Sequence, residues 1–278
     1  MQFIKTLKKA LIDLLYQYQG YYLDSGEVIL LQKLHHIGIR GLPLQLLENY
    51  LSNRQQYTSI NGYKSSHQLI NTGVPQGSVL GPVLCSVFLN DLPAKTIFNT
   101  TLFADDACFS FNHSSIQQLE NIVNSELETV NTWLQENRLR PNLTKTNYML
   151  LHKRRSPFSH FTVTLNDCKI TRKRHIKYLG ITLDEKLKWK YQINNVKNKL
   201  SKCIWVIFKI RPYVDAKTLK LMYYALAYSH LQYGITFWGA ANKTTLSPVI
   251  TKQKLLVRAI LKAGFRAHSA PLFQDLKF

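Results

Sequence analysis

Apolar residues recur every three or four positions in several long segments, which is the spacing of an amphipathic helix. The clearest segment is 114–142, where Ser115 followed three residues later by Gln118 forms a capping box at the helix start. The same spacing predicts helices at 28–39, 42–54, 190–210, 215–233 and 246–263. A short apolar run after a Gly/Pro-rich turn, within 71–93, predicts one more, buried helix.

Other segments alternate in the way that half-buried strands do. "QYTSINGYKSSHQLI" (56–70) alternates around Asn61-Gly62, which is a strong hairpin signal. "TLFADDACFSF" predicts a strand, a tight turn and a second strand. Further strands are predicted in "KTNYMLLH", "HFTVTLN" and "IKYLGITLDEKLKW". Helices and strands therefore mix in an α+β pattern until about residue 190, after which the pattern is mainly helical.

The charge of the chain changes this picture by indicating a partner. Lys and Arg number 36 against 16 Asp and Glu, a formal net charge of +20, which favours a polyanion such as nucleic acid. Residues 138–211 hold 19 basic residues and three acids, whereas 90–137 hold seven acids and one Lys. This division suits a metal-dependent enzyme that acts on a phosphate backbone. It equally suits two independently solvated surfaces.

The four cysteines show neither C-x-x-C nor zinc-site spacing, so we expect buried thiols in a reducing compartment. The first twenty residues do not have the pattern of a secretory signal, and no apolar run is long enough for a bilayer. We therefore expect an intracellular protein of the nucleus or cytoplasm, not secreted and without a membrane partner. Trp189, Trp205 and Trp238 are expected in the core.

Asp105 and Asp106 stand side by side between two apolar runs. Adjacent carboxylates repel each other, and burying them is costly unless a cation compensates. At a tight hairpin turn both side chains can reach the same ion, and oxygen ligands favour a hard cation such as Mg²⁺. An exposed Asp-Asp turn without any ligand is the alternative for the pair taken alone.

A second chemical signal is the segment "GVPQGSVLGP" (73–82). Gly73 and Gly77 allow a backbone to approach a ligand closely, and Pro75 fixes the turn. Gln76 offers a neutral donor and acceptor to a nucleotide. Ser78 is placed to cap the following helix. Taken alone, the segment is also compatible with an ordinary entry into a helix.

Together these stretches carry a resemblance. "GVPQGSVLGPVLCSVFLNDLP" followed by "FADD" resembles the reverse transcriptases of non-LTR retrotransposons, especially jockey-like elements. "LRPNLTKTNYMLL" and "YLGITLDEKLKW" resemble the next two motifs of that family. "AYSHLQYGITFWG" and "HSAPLFQDLKF" resemble regions beyond them. The similarity runs in the expected order over residues 28–278.

The resemblance implies a right-hand polymerase palm, an antiparallel sheet with packed helices, followed by a helical thumb. We expect three parts: a degenerate or unrelated N-terminal segment (1–27), a partial palm (28–187), and a thumb with C-terminal region (188–278). The expected reaction is RNA-directed DNA synthesis by two-metal catalysis, with Mg²⁺ as cofactor. The expected partners are an RNA template, a DNA primer and deoxynucleoside triphosphates.

The resemblance also implies roles for individual residues. Asp105 and Asp106 would bind the catalytic Mg²⁺ ions. Lys145 would lie near the incoming triphosphate and protonate the leaving pyrophosphate. The nucleotide and template would be positioned by Gly73, Pro75, Gln76 and Gly77. The tripeptide Tyr178–Leu179–Gly180 would support the primer-grip hairpin.

One departure from the family pattern concerns the third metal-binding carboxylate, expected shortly before "ILLQKL" in a D-x-x-x-A-F-D pattern. An ungapped alignment puts Gln17 at the metal-binding position and Leu23 at the second Asp. Asp13 takes the metal role only if about four residues are inserted, and Asp24 lies at another offset. We expect Asp13 to be the third ligand if the site is complete. The fingers segment and an endonuclease domain are also missing, so we expect a truncated protein.

Three hypotheses follow. The first is a reverse transcriptase fragment. The second is a non-catalytic nucleic-acid-binding remnant of the same element, which needs only the basic groove. The third is a helical interaction protein that uses the C-terminal half alone and does not depend on nucleic acid.

Overall fold

The computed structural model describes residues 10–17, 26–70, 73–75, 77–104, 106–152 and 160–275, the first range by its backbone alone. These residues form ten α-helices, one five-stranded sheet and four two-stranded sheets, which confirms the predicted α+β class. The chain divides into two compact units, residues 1–173 and 174–278. The domain limits at 27/28 and 187/188 stay a prediction.

The elements of the first unit, in chain order, are β1 (Ala10–Gln17), α1 (Gly26–His36), α2 (Leu42–Leu51), β2 (Arg54–Gln56), β3 (Ser59–Ile60), β4 (Tyr63–Lys64), β5 (Gln68–Ile70), α3 (Leu80–Leu89), a 3-10 turn (Leu92–Lys95), β6 (Asn99–Phe103), β7 (Asp106–His113), α4 (Ile116–Glu136), β8 (Asn147–Leu151), β9 (Thr164–Leu165), β10 (Cys168–Lys169) and β11 (Thr171–Arg172). The elements of the second unit are β12 (His175–Tyr178), β13 (Ile181–Asp184), α5 (Lys190–Ile210), α6 (Ala216–Met222), a π-helical segment (Tyr223–Tyr228), α7 (Ser229–Gln232), α8 (Ile235–Trp238), α9 (Lys243–Ile260) and α10 (Ser269–Asp275).

The main sheet has the strand order β11-β8-β1-β7-β6. Strand β1 lies in its centre and pairs antiparallel with both β7 and β8. The hydrophobic pattern predicted no strand before residue 28. Residues 10–17 instead read as a nearly continuous apolar run, which is typical of strands with neighbours on both sides but does not distinguish them from buried helix.

Helix α4 packs against this sheet and organises the core of the first unit. Its start is the predicted one, because the Ser115 hydroxyl accepts a hydrogen bond from the backbone N–H of Gln118 at 3.4 Å. Its buried apolar face repeats with the predicted spacing and consists of Leu119, Val123, Leu127, Val130, Trp133 and Leu134. Phe88 of α3 and Phe109 of β7 belong to the same core and are fully buried.

A polar cluster joins helices α1 and α4 to the end of α3. Lys33 Nζ donates to the carbonyl oxygen of Phe88 at 2.6 Å and to Asp91 Oδ1 at 2.7 Å. The indole N–H of Trp133 donates to the other oxygen of Asp91 at 3.2 Å. Burial lowers the pKa of Lys33, while the hydrogen bond and charge of Asp91 oppose that shift. The cluster orients α1 beside the helix that follows the Gly/Pro-rich segment.

The second unit has its own core, in which α5 packs against α9. Trp238 lies in that core with 2% of its surface exposed, as predicted. Trp189 is half-buried. The prediction for Trp205 is wrong, because its side chain is 64% exposed. It lies outside the stripe through which α5 enters the core, which includes Val196, Leu200 and Ile207.

The predicted burial of the thiols is also only partly right. Cys108 and Cys203 are buried, Cys85 is half-buried, and Cys168 is exposed in the β9–β10 turn region; all four are free thiols. Within the described part of the chain, no helix combines the length and apolar character that crossing a membrane requires.

Asp184 at the end of β13 holds the turn that leads into α5. Its buried carboxylate accepts hydrogen bonds from three backbone N–H groups, those of Lys186 at 3.2 Å, Lys188 at 3.0 Å and Trp189 at 2.7 Å. Such bonds to a charged acceptor stabilise more than neutral ones. The turn needs this support, because Leu187 and Trp189 adopt positive φ angles of 49° and 64°.

We expect Asp184→Ala to lower the free energy of unfolding by about 2–4 kcal/mol, since it leaves several donors without their acceptor. Urea unfolding of the whole chain, followed by tryptophan fluorescence, measures the change. Asp184→Asn is the matched control, because it keeps one acceptor oxygen and should lose less. Equal stability of Asp184→Ala and the unmodified protein would contradict the assignment.

Candidate functional site

Asp106 lies where the turn between β6 and β7 ends, as the strand–turn–strand pattern predicted. Phe103 pairs with Asp106 across this hairpin, and Ala104 follows Phe103 in the turn. Ala104 takes the left-handed conformation, with φ of 50°. Asp106 is half-buried and is the first residue of β7. Asp105 lies outside the described residues.

The neighbouring strand brings Gln17 beside this turn. In the β1–β7 ladder Gln17 pairs with Asp106, whereas Asp13 pairs with Ser110. Asp13 and Gln17 are four residues apart, about 13 Å along an extended strand. The assignment of Asp13 as third metal ligand stays a prediction, and in the register of β1 it is Gln17 that pairs with Asp106. Leu23 and Asp24 lie outside the described residues.

Lys145 follows a turn that is tightly hydrogen-bonded around Asn142. The backbone N–H of Lys145 donates to the Asn142 carbonyl oxygen at 3.1 Å, and the Thr146 hydroxyl donates to the same oxygen at 2.8 Å. The side chain of Lys145 is exposed. Strand β8 begins two residues later and pairs with β1, and Asn147 stands opposite Leu15. Lys145 is therefore at the end of this ladder where Gln17 lies.

The Gly/Pro-rich segment enters α3 through a compact turn. Gly73 and Gly77 have φ angles of 74° and 80°, the left-handed region that favours glycine. Ser78 Oγ donates to the carbonyl oxygen of Pro75 and accepts from the N–H of Gly81, both at 2.9 Å. Ser78 thus accepts one N–H at the start of α3, although the N-cap residue of the helix is Val79, which makes no side-chain capping bond. Gln76 lies outside the described residues.

Gly81 is a further requirement of this turn, and one that the sequence motifs did not single out. A Cβ atom at Gly81 would lie 3.0 Å from Ser78 Oγ and 3.2 Å from the carbonyl oxygen of Pro75. These two distances are shorter than most contacts that Cβ atoms make in proteins, so a larger residue would displace the turn. The second glycine in "GSVLGP" is the signal that marks the position.

Arg54 anchors the start of the same segment to the helices behind it. Its guanidinium donates to the Gly73 carbonyl oxygen, to the Leu51 carbonyl oxygen at 2.7 Å and to Glu27 at 3.2 Å. Both side chains of the Arg54–Glu27 ion pair are largely buried. No pattern in the sequence pointed to Arg54, because its partners are distant along the chain.

We expect Arg54→Lys to lower the free energy of unfolding by about 1–3 kcal/mol, because a single ammonium does not replace the planar fork of donors. Urea denaturation of the full chain tests this. Glu27→Gln is the control, since it removes the ion pair but leaves both carbonyl contacts, and it should cost less. A larger loss in Glu27→Gln would show that the ion pair, not the carbonyl contacts, matters.

The donor atoms at the β6–β7 turn fit a hard cation only in part. Asp106 supplies a carboxylate, and its partner in the β1–β7 ladder is Gln17, whose side chain is a neutral amide. Within the described ranges, no three His, Cys, Asp or Glu side chains are grouped to hold a metal ion. Among the described side chains, Asp106 is thus the carboxylate that this turn offers to a hard cation.

In the second unit, Tyr233 contacts the turn between β12 and β13. Leu179 and Gly180 have φ angles of 44° and 81°. The Tyr233 hydroxyl donates to the Leu179 carbonyl oxygen, and the Tyr233 ring lies 3.2 Å from where a Cβ of Gly180 would be. Tyr233 thus contacts both residues of this turn.

Comparisons with known proteins add an independent finding. The family described as "Reverse transcriptase (RNA-dependent DNA polymerase)" matches residues 28–183. The RNA-directed DNA polymerase of the mobile element jockey from Drosophila melanogaster is 30% identical over 253 residues, covering 86% of this chain. A probable RNA-directed DNA polymerase from transposon BS of the same species is 28% identical and covers 83%. This chain spans 27% of the length of each relative.

Among solved structures, apo telomerase from Candida tropicalis matches with a TM-score of 0.47 and 12% identity. That match covers 91% of this chain and 42% of the telomerase chain.

Proposed function

We propose RNA-directed DNA synthesis for this chain, because it belongs to the reverse transcriptase family and resembles the jockey-like members of non-LTR elements. The observation that carries the proposal is the β6–β7 hairpin, which holds Asp106 at its turn within the matched residues. The reaction would be template-directed nucleotidyl transfer. Its partners would be an RNA template, a DNA primer and deoxynucleoside triphosphates.

In this proposal the five-stranded sheet with α4 is the polymerase palm, and the helical second unit is the thumb. Two features support the assignment. The strands β6 and β7 form an antiparallel hairpin next to a central strand, with a helix packed on them. The second unit consists of helices with one small hairpin, β12–β13, whose turn would serve as the primer grip.

Asp105 and Asp106 would hold Mg²⁺, which when bound activates a 3′-hydroxyl and stabilises the leaving pyrophosphate. The protein's own contribution is to fix these carboxylates. The pairing with Phe103 and the ladder with β1 restrict the backbone at Asp106.

Lys145 would bind the triphosphate and give a proton to the leaving pyrophosphate. Its backbone is fixed by Asn142, while its exposed ammonium is free to reach a phosphate. The turn with Gly73, Pro75 and Gly77, together with Gln76, would position the nucleotide and template. Arg54 would keep that turn in place through the Gly73 carbonyl oxygen.

A second function is favoured by one observation, the pairing of Gln17 with Asp106. A neutral amide at the expected position of a carboxylate weakens the attraction for two metal ions. The chain would then be a nucleic-acid-binding remnant that retains the basic residues but not the chemistry.

Primer extension distinguishes the two functions. The purified chain is given an RNA template with an annealed DNA primer, deoxynucleoside triphosphates and Mg²⁺, and a parallel reaction contains a chelator. Binding of the same substrate is measured by anisotropy between 50 and about 200 mM salt, a range in which phosphate contacts lose much of their affinity.

Extension that the chelator removes supports the polymerase. Absent extension with salt-sensitive binding supports the remnant. Absence of both would overturn the two nucleic-acid functions together and leave the helical interaction protein.

A further inference from the structure

One face of α5 combines aromatic, amide and lysine side chains. Six exposed residues recur at intervals of three or four along it, namely Tyr191, Asn194, Asn198, Lys202, Trp205 and Lys209. This spacing places them on a single stripe of the helix. We call it the α5 stripe. Its two rings, Tyr191 and Trp205, are separated by fourteen residues, about 21 Å along the helix axis.

The stripe is positively charged, and no acidic residue lies near it in the sequence to offset that charge. The chain holds no Asp or Glu between Glu185 and Asp215, whereas α5 alone carries five lysines. Isolated lysines on a helix are often paired with acids three or four residues away. That pairing is not available here, so the stripe attracts an anionic partner.

Trp205 is more exposed than Tyr191, the other ring of the stripe. Its side chain is 64% exposed, and Lys209 Nζ lies 5.9 Å from its ring centroid. At the other end, Tyr191 is 46% exposed and stacks on His175, with ring centroids 4.3 Å apart and planes at 15°. Each ring thus contacts a neighbouring side chain and still has exposed surface. A ring that is already oriented loses less conformational entropy when a ligand binds.

We infer that the α5 stripe binds single-stranded nucleic acid, with unpaired bases stacked on Trp205 and Tyr191 and phosphates held by Lys202 and Lys209. Trp205 lies between Lys202 and Lys209 on the stripe, so that a ring for a base stands between two ammonium groups for phosphates. Asn194 and Asn198 add donors and acceptors that fit any base edge. The inference rests on the proposed function only in taking nucleic acid as the partner.

The rings favour an unpaired strand over a duplex. Stacking on a side chain needs the face of a base, and in a duplex that face is covered by the neighbouring bases. Lysines alone would bind either form through phosphates. The exposed Trp205 is therefore the feature that separates the two forms.

The test is titration of the full chain with fluorescein-labelled 16-nucleotide oligo(U), oligo(dT) and a blunt duplex of equal length, without Mg²⁺ or nucleotides. Trp205→Ala is expected to weaken binding of both single strands about 5- to 100-fold, while changing duplex binding little. Lys202→Gln is expected to reduce the salt dependence by about 0.7 in the log–log slope, the value for one phosphate contact on a single strand. The oligo(U) and oligo(dT) arms distinguish RNA from DNA as the source of the strand.

Matched controls lie in the same unit. Phe265→Ala removes another exposed ring, 76% exposed, and Lys254→Gln removes an exposed lysine of α9. Neither should change binding. Intrinsic fluorescence gives a second readout with unlabelled strands, because a base stacked on Trp205 quenches it. Most of the quench should be lost in Trp205→Phe, since Trp133 and Trp238 are buried and Trp189 is half-buried.

Several results would overturn the inference. One is unchanged affinity and quenching in the Trp205 variants. Another is equal weakening by Phe265→Ala, which would indicate a general surface effect. A third is duplex binding that depends on Trp205 as strongly as single-strand binding does. Since these assays need neither Mg²⁺ nor extension, their failure is separate from failure of the polymerase proposal.

Discussion

Replacing Gln17 with aspartate is expected to raise Mg²⁺-dependent primer extension about 10²-fold over the unmodified protein. Gln17 pairs with Asp106 in the β1–β7 ladder, so the substitution would place an aspartate opposite Asp106 in the sheet. A third anionic ligand would fix the position of the metal more closely, and a displacement of about 1 Å in such a site costs roughly 10²-fold in rate. Single-turnover extension on a primed RNA template measures the change.

Asp13→Asn is the matched control for this prediction. Asp13 stands on the same strand but pairs with Ser110. We therefore expect Asp13→Asn to extend primers as the unmodified protein does. A strong loss in Asp13→Asn, with no gain in Gln17→Asp, would show that Asp13 is the third ligand and that the register at the site differs.

The double change Asp105→Asn, Asp106→Asn is expected to lower primer extension by at least about 10²-fold, whether it is made in the unmodified protein or in the Gln17→Asp variant. Two neutral amides do not offset the charge of a divalent cation, so the ion would be held weakly or not at all. Binding of single strands should remain within about twofold, because the α5 stripe contains neither residue. Extension and anisotropy are measured on the same preparations.

Glu128→Gln serves as the control for lost negative charge, because Glu128 is exposed on α4. It should leave extension unchanged. Extension that persists in the double variant would contradict the assignment of Asp105 and Asp106. Loss of extension together with loss of fold, seen by circular dichroism, would move the test to Asp106→Glu, which keeps the charge but shifts its position.

Much of the fold was predictable because the information is local. Helix α4 begins at Ser115 as its capping residues indicated, and its apolar spacing gave the buried face. The hairpin at Asn61-Gly62 followed from two residues that tolerate positive φ, with observed angles of 50° and 86°. In each case neighbours within a few positions decide the conformation.

Strand β1 was missed because its signal is not local. Its apolar run fits a strand or a buried helix, and only its partners β7 and β8 decide between them. The pairing of Gln17 with Asp106 joins residues almost ninety positions apart. An alignment of motifs identified Gln17 as the aligned residue but gave no spatial neighbour. The residues of the candidate site could thus be predicted from the sequence, but their positions relative to one another could not.

The exposed Trp205 was missed for a different reason. Tryptophan is buried on average, so the general tendency favoured the core. The position of Trp205 outside the apolar stripe of α5 was visible in the periodicity, since Lys202 and Lys209 share its face. In α5, the position of a residue in the apolar pattern therefore decides its exposure, and the residue type does not. Arg54, in contrast, carried no local signal at all.

The central place of β1 has a consequence for the order in which the sheet assembles. During synthesis β1 emerges long before β7 and β8, so both of its edges wait for strands made about 90 and 130 residues later. Long-range pairing of this kind is slow, and an apolar strand with two open edges is prone to pair with another chain meanwhile. Lys8 and Lys9 directly before it, and Asp13 within it, are charges of the kind that discourage such aggregation. Expression yield would then depend on these charges even though none of them lies in the β6–β7 turn.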